Sequence, residues 1–342
     1  MSIWALMPPD IIKEDPYMKK LFAVLLALAL VVGAMGAVAL AEEKLTFGYI
    51  AYQMADIWNE YSAKSFEYCA EKDGVDVIVL DAGNDIAQSV SCMESLIQSE
   101  VDGISIFPIS PEQTAQLITM ANEANIPITV ENIDVADVAD EDDYIAAVGC
   151  LYGDIGYAAI EWLANNVEDA KVFYCAGAVG GGVFEAYKIG VDQALADYEG
   201  KIEMVGLLNS DAWSTEDGLN LTTNFINSGT EFNCIFANND QIAQGCYQAC
   251  KEAGIDVPIV STGGSPDAYA FLEDDIEAAN MTAPVSIQGV QTYKNLYEYV
   301  TEGKVPDPKF QNLPIIPVSG DDLGAWIDWS DYEGAYKYVY GQ

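Results

Sequence analysis

The chain has 342 residues, 51% hydrophobic and 20% charged, and its 54 acidic residues outweigh 14 lysines to leave a formal charge of −40. Arginine and histidine are absent, which excludes imidazole acid–base catalysis, His-dependent triads, His-bearing metal sites and guanidinium clamps. The acidic excess argues against nucleic acid and anionic membrane surfaces, which are bound by neutralising phosphates with Lys and Arg, and reads as a strongly solvated surface.

In chain order, the first feature is a targeting signal. Met18-Lys19-Lys20 opens a short basic region, Leu21 to Val32 is an almost unbroken apolar run, and Ala39-Leu40-Ala41 precedes Glu42-Glu43. This is the pattern of a secretory signal peptide over 18–41, within a leader over 1–41, cleaved after Ala41. An uncleaved anchor is the alternative, because 21–41 could just span a bilayer. Export to the periplasm or the extracytoplasmic cell surface is expected. The cysteines all follow the leader: Cys69, Cys92, Cys150, Cys175, Cys234, Cys246 and Cys250. Their number is odd, and no C-x-x-C occurs. No metal, redox motif or cofactor is expected, and no disulfide is assigned.

From Lys44 onward, β-rich runs alternate with amphipathic ones. Strands are predicted at 44–51, 75–80, 103–107, 127–131, 146–149, 171–176, 202–208, 234–237 and 258–261. Helices are predicted at 57–72, 86–99, 111–124, 155–166, 183–197, 216–227 and 241–252. The strands are apolar at consecutive positions, as in Val77-Ile78-Val79-Leu80, which suits a parallel sheet covered on both faces. The alternation implies α/β units. One β-turn-α-β unit from Ile106-Phe107-Pro108 to Ile126-Pro127-Ile128 is echoed by another from Ile235-Phe236-Ala237 to Val257-Pro258-Ile259. Two similar lobes follow, with strand C-termini facing a shared crevice, the usual ligand position in open α/β sheets. After Pro284 come a helix (287–302), a strand (313–318) and a Tyr/Trp-rich end over 321–342. The expected fold is α/β, with two similar doubly wound parallel-sheet lobes joined by a three-segment hinge. The N-terminal lobe is expected to take 44–149 plus about 284–318, and the C-terminal lobe 150–283 plus about 319–342.

An export signal, two like lobes and no catalytic constellation resemble the periplasmic sugar-binding proteins of ABC importers, of the type I periplasmic binding protein family. The ribose- and arabinose-binding branch looks closest. The resemblance runs from about Lys44 to Asp328. It is carried by Phe47-Gly48-Tyr49-Ile50 with Asp56-Ile57-Trp58, Val101-Asp102-Gly103-Ile104, and Ala124-Asn125-Ile126-Pro127-Ile128. Further on it is carried by Phe236-Ala237-Asn238-Asn239-Asp240, Gly263-Gly264-Ser265-Pro266-Asp267 and Glu302-Gly303-Lys304. It implies a monomer that closes two lobes over one small polar ligand and delivers it to a permease in the membrane. Aromatic rings would stack on the apolar faces of a sugar, and side-chain amides and acids would bond its hydroxyls.

By this resemblance Trp58 and Trp213 stand where the two lobes place their rings. Asn239 matches an amide that bonds vicinal hydroxyls, and Asp240 either joins it or caps the following helix. Glu131 falls on an acidic hydroxyl acceptor and Asn132 on the neighbouring arginine. Glu185 falls on the second arginine, and the amide or acid after Ser261 falls on Gly263 or Gly264. Gln53 and Asp56 line the same mouth. Glu131, Glu185 and Asp56 would then share a closed pocket without a cation, where like charges raise one another's pKa. Either the ligand is cationic, such as an amino sugar or polyamine, or Glu185 points away and the ligand is a neutral sugar or polyol. Two other functions compete: a sensory receptor presenting ligand to a chemoreceptor or sensor kinase, and a glycosidase using Glu131 and Glu185 as paired carboxylates. No enzymatic activity is expected.

Overall fold

The structure, a computed structural model, describes residues 44–320, 322–323 and 327–342. The expected leader and its cleavage site lie outside the described residues. Among the described residues, no helix is long and apolar enough to cross a membrane.

The first lobe runs β1 (Thr46–Ala51), α1 (Ile57–Asp73), β2 (Asp76–Asp81), α2 (Ile86–Gln98), β3 (Gly103–Ile106), α3 (Pro111–Glu123), β4 (Ile128–Asn132) and β5 (Ala147–Gly149). The second opens with α4 (Tyr152–Asn166), β6 (Ala170–Ala176), α5 (Val183–Asp197), β7 (Ile202–Asn209) and α6 (Thr215–Asn227). It continues with β8 (Cys234–Ala237), α7 (Asp240–Ala253), β9 (Ile259–Gly263), α8 (Ala268–Glu273) and β10 (Ala279–Thr282). The chain ends with α9 (Val285–Glu302), β11 (Phe310–Asn312), β12 (Ile316–Ser319) and α10 (Tyr332–Tyr340).

These elements form where local chemistry starts and stops them. Asp56, Asp85, Ser110, Ser214 and Asn239 each accept a first-turn backbone N–H, the work of an N-cap. Gly74, Gly254 and Gly303 end their helices in the left-handed conformation. The strands then pair into two six-stranded sheets, ordered β11-β5-β4-β3-β1-β2 and β12-β10-β9-β8-β6-β7. All pairings are parallel except that of β12, which runs antiparallel to β10.

The chain crosses from the first lobe to the second at 150–151, returns at 283–284, and crosses again at 313–315. On the return, α9 packs on α1, where the Tyr293 ring meets Phe66 at 5.2 Å. Glu131 locks this arrangement from within. It is completely buried and accepts from Tyr49 Oη (2.8 Å), Ser62 Oγ (2.6 Å), Ser105 Oγ (3.3 Å) and Gln288 Nε2 (3.2 Å), donors carried by β1, α1, β3 and α9. After β12 the chain passes once more to the first lobe, where α10 rests on α1 and α9.

The end of the chain therefore departs from its expected division. Of the predicted strand over 313–318 only its second half is a strand, β12, and it pairs in the second sheet, so it belongs to the second lobe rather than to a first lobe ending at 318; the first-lobe strand β11 lies just before the predicted segment. The segment from 319 onward ends on the first lobe, not the second. The strand β10 carried no apolar run because its buried Asn280 and Thr282 serve hydrogen bonds. Edge strand β12 contains Pro317, which a central strand does not tolerate.

Candidate functional site

A cavity of about 710 Å³ lies between the lobes, at the C-terminal ends of strands from both sheets. This volume is typical of small-molecule sites. Gln53, Asp56, Trp58 and Asn132 line it from the first lobe, and Trp213, Asn239 and Asp240 from the second.

On the first lobe, the turn after β1 is held by α1. Asp56 Oδ1 accepts from the Asn59 N–H at 3.1 Å, and Asn59 Oδ1 accepts from the Gln53 N–H at 3.0 Å. Burial raises the Asp56 carboxyl above the usual carboxylate range, against the pull of the Asn59 and Trp58 backbone N–H groups. Asn132 closes β4 in a left-handed conformation (φ 75°), and its Oδ1 accepts from the Tyr152 hydroxyl of the second lobe.

On the second lobe, the Trp213 backbone is also left-handed (φ 56°), with its N–H donating to Ser210 Oγ at 2.8 Å and its carbonyl accepting from Asn239 Nδ2 at 3.0 Å. Its ring lies flat against Gly177, where an added Cβ would come within 1.9 Å of Cη2. Gly177 is therefore what admits the ring. Asn238 Oδ1 accepts from the Tyr174 hydroxyl and the Gly177 N–H, both at 2.8 Å, which fixes this floor.

The structure does not bring two of the expected acids to the cavity. Glu131 lies beneath the first-lobe wall, saturated by the donors named above, because its strand turns that side chain into the protein core. Burial raises its pKa, with those donors opposing. Glu185 is exposed and turned back on its own loop, where its two oxygens accept from the Gly180 N–H (2.7 Å) and Gly182 N–H (3.0 Å). Those amides are the unsatisfied donors of a helix start, so a carboxylate three residues in folds back to meet them. The Asn239–Asp240 pair also divides its work differently. Asn239 is the cap, its Oδ1 accepting from the Ile242 N–H at 2.8 Å. Asp240 is buried and accepts from the Ser265 N–H (2.6 Å), Asn280 Nδ2 (2.6 Å) and Ser261 Oγ (3.1 Å). Burial pushes its pKa up.

Sequence reasoning missed Tyr152, Tyr187, Asn238 and Trp329, all of which line the cavity. Asn238 sits inside a quoted motif and was legible. Tyr187 falls inside the helix predicted over 183–197 and Tyr152 just before the one predicted over 155–166, with no local motif to mark either, and Trp329 lay in a tail with no assigned element. Carboxylates reach the lining at Asp56, Asp211 and Asp240, and among the described residues no lysine does.

The periplasmic binding protein domain model matches residues 47–304. A putative rhizopine-binding protein of Rhizobium meliloti is 28% identical over 213 residues, covering 60% of this chain and 68% of that protein. The galactofuranose-binding protein YtfQ of Escherichia coli is 26% identical over 299 residues, covering 83% and 90%. Among solved structures, a Caulobacter myo-inositol binding protein bound to myo-inositol superposes with a TM-score of 0.76 at 18% identity, over 85% of this chain and 98% of that one. With a domain match over most of the length and the same two-lobed architecture, the chain belongs to the periplasmic binding protein family.

Proposed function

We propose that this chain captures a small neutral polyol, a sugar or cyclitol, between its lobes and hands it to a membrane permease of an ABC importer after export. The observation that carries this is the interlobe cavity, walled by the Trp58 and Trp213 rings and by the amides Gln53, Asn132, Asn238 and Asn239, with no lysine in its lining among the described residues. Rings suit the C–H faces of a sugar and amides its hydroxyls. The relatives named for rhizopine, ribose and galactofuranose, and the neighbours holding myo-inositol, support the same class. Family members are binding proteins, which favours binding over catalysis.

A second reading has its own observation. Asp56 lines the cavity with a carboxyl raised by burial and no cation beside it, so an amino-substituted polyol would place an ammonium where the site has only acid. The test is a thermal-shift screen followed by calorimetry with myo-inositol, D-ribose, L-arabinose, D-galactose and the amine D-glucosamine. Ligand at about a hundred times its Kd should stabilise by roughly 2.7 kcal/mol, and Trp58→Ala should abolish the shift. Binding of the amine alone would favour the second reading, and no shift with any of the five would overturn both.

A further inference from the structure

The C-terminal passage places an aromatic side chain in the cavity wall and touches both lobes there. Trp329 is 3% exposed and lines the cavity. Its ring meets Trp58 edge-on at 5.1 Å and 88°, and Tyr61 at 5.9 Å, both on the first lobe. On the second lobe it stands over Gly263, where an added Cβ would lie 3.7 Å from its Cζ2. Gly263 has φ 109°, a conformation that favours glycine, so the bare backbone there leaves the room that the ring takes.

Packing alone is a poor explanation for this placement. The indole N–H groups of Trp58 and Trp329 are buried with no hydrogen-bond partner in the protein, a cost of roughly 1–3 kcal/mol for each such donor. Such local costs concentrate at functional sites, and a small ring rotation would turn either donor toward an oxygen of a bound polyol. The passage is also fastened. Beyond Trp329, α10 docks on the first lobe through Glu333, which accepts from Lys72 Nζ at 2.7 Å and from the Tyr68 hydroxyl, while Lys72 Nζ lies 4.3 Å from the centre of the Tyr336 ring. The Lys72 ammonium, then the Tyr68 hydroxyl and Lys337, hold Glu333 down to about 2. A segment that begins on the second sheet at β12 and ends clamped to the first lobe thus carries Trp329 to the seam.

We propose that residues 327–342 form a strap belonging to the ligand site, in which Trp329 contacts the bound polyol and couples the seating of the tail to occupancy. This rests on the polyol reading above, and the experiment separates the two. Full-length wild type, Trp329→Phe, Trp329→Ala and Tyr338→Ala are titrated calorimetrically with myo-inositol, D-ribose, L-arabinose, D-galactose and D-glucosamine. Amide exchange of the 327–342 peptide is followed with and without saturating ligand. Tyr338, 59% exposed on the outer side of α10, is the control. For whichever compound binds the wild type, Trp329→Ala should weaken it about 30-fold, which is ~2 kcal/mol. Trp329→Phe should weaken it about fivefold with its fold intact, Tyr338→Ala should leave it unchanged, and ligand should slow exchange in the tail. Wild-type binding that survives Trp329→Ala within twofold, or tail exchange indifferent to ligand, overturns the strap alone. Should the alanine variant fail to fold, a folded Trp329→Phe that binds like wild type overturns it equally. Absence of binding by wild type with all five overturns the polyol reading and the strap together.

Discussion

Glu277→Gln probes an acid pair that the second lobe keeps without a cation. Glu277 is 1% exposed, its Oε2 accepts from Asn280 Nδ2 at 2.8 Å, and its Oε1 has no partner. The same Nδ2 reaches Asp240 Oδ1 at 2.6 Å, so the two carboxyl groups approach each other across a single amide. Two unit charges about 5 Å apart repel by roughly 3 kcal/mol at an effective dielectric near 20. Burial first, and the Asp240 charge second, push the Glu277 pKa well above the carboxylate range, so the folded protein keeps this group protonated where the unfolded chain has lost its proton. The sign follows from that inequality. As pH rises from the unfolded value toward the folded one, the unfolded state binds fewer protons, and stability falls by up to about 1.4 kcal/mol per unit. Below the unfolded value the contribution is flat. Glutamine keeps the shape and cannot ionise. In urea unfolding followed by tryptophan fluorescence, Glu277→Gln should match wild type within about 1 kcal/mol at pH 5. It should gain on wild type progressively as pH rises from 5 to 8. A difference between the two proteins that stays constant from pH 5 to 8 would refute the reasoning.

The remaining predictions use other features of the same structure. Glu185→Gln weakens the seal on the Gly180 and Gly182 amides, so it should lower stability by about 1 kcal/mol while leaving any preference between neutral and amine ligands unchanged in calorimetry. Gly177→Ala puts a methyl group where the Trp213 ring lies. It should cut ligand affinity about tenfold or more, one factor of ten being ~1.4 kcal/mol, with the far-ultraviolet circular dichroism of wild type retained. All seven cysteines are buried free thiols, and burial raises Cys69, Cys234 and Cys250 to about 12. A thiol reagent at pH 8 should therefore leave the native protein unlabelled and titrate seven groups in urea, because the thiolate is the reactive form.

Legibility in the sequence followed where each signal was stored. The β–α alternation up to residue 263 is a local signal, written in apolar runs and helix caps, and the elements stand within a few residues of where periodicity put them. The end of the chain is different. The strand β10, Ala-Asn-Met-Thr, owes its place to Asp240 and to the β12 carbonyl of Ile316, partners distant in sequence, and no window of residues shows it. At the site the pattern is similar. Trp58, Trp213 and Asn239 are loop residues next to strand ends, where position alone suggests the cavity. Glu131 is equally near a strand end, yet it faces inward, because four donors from other elements had already claimed its carboxylate. The strand's alternation turns each side chain to one face or the other, but which face meets the cavity is set by neighbours distant in sequence.

The absence of arginine acquires a structural meaning from these placements. A chain with 54 acids, 14 lysines and no guanidinium must settle its interior carboxylates by other means. It does so with neutral donors: hydroxyls and one amide around Glu131, and hydroxyl, amide and backbone N–H together around Asp240, while the exposed Glu185 is met by backbone N–H groups. A carboxylate held by several hydrogen bonds needs no counter-ion to remain in place. The expected crowd of acids in the ligand site therefore disperses, since Glu131 and Glu185 are satisfied away from the cavity and Asp240 is satisfied within its wall. Asp56 is left as the half-buried acid of the lining, its carboxyl met by the Asn59 and Trp58 backbone N–H groups of its own helix, and a carboxylate oxygen has lone pairs to spare for a ligand. A hydroxyl can meet that oxygen as readily as an ammonium can. For this reason a neutral polyol remains the simpler occupant, and whether the site also accepts an amine turns on Asp56.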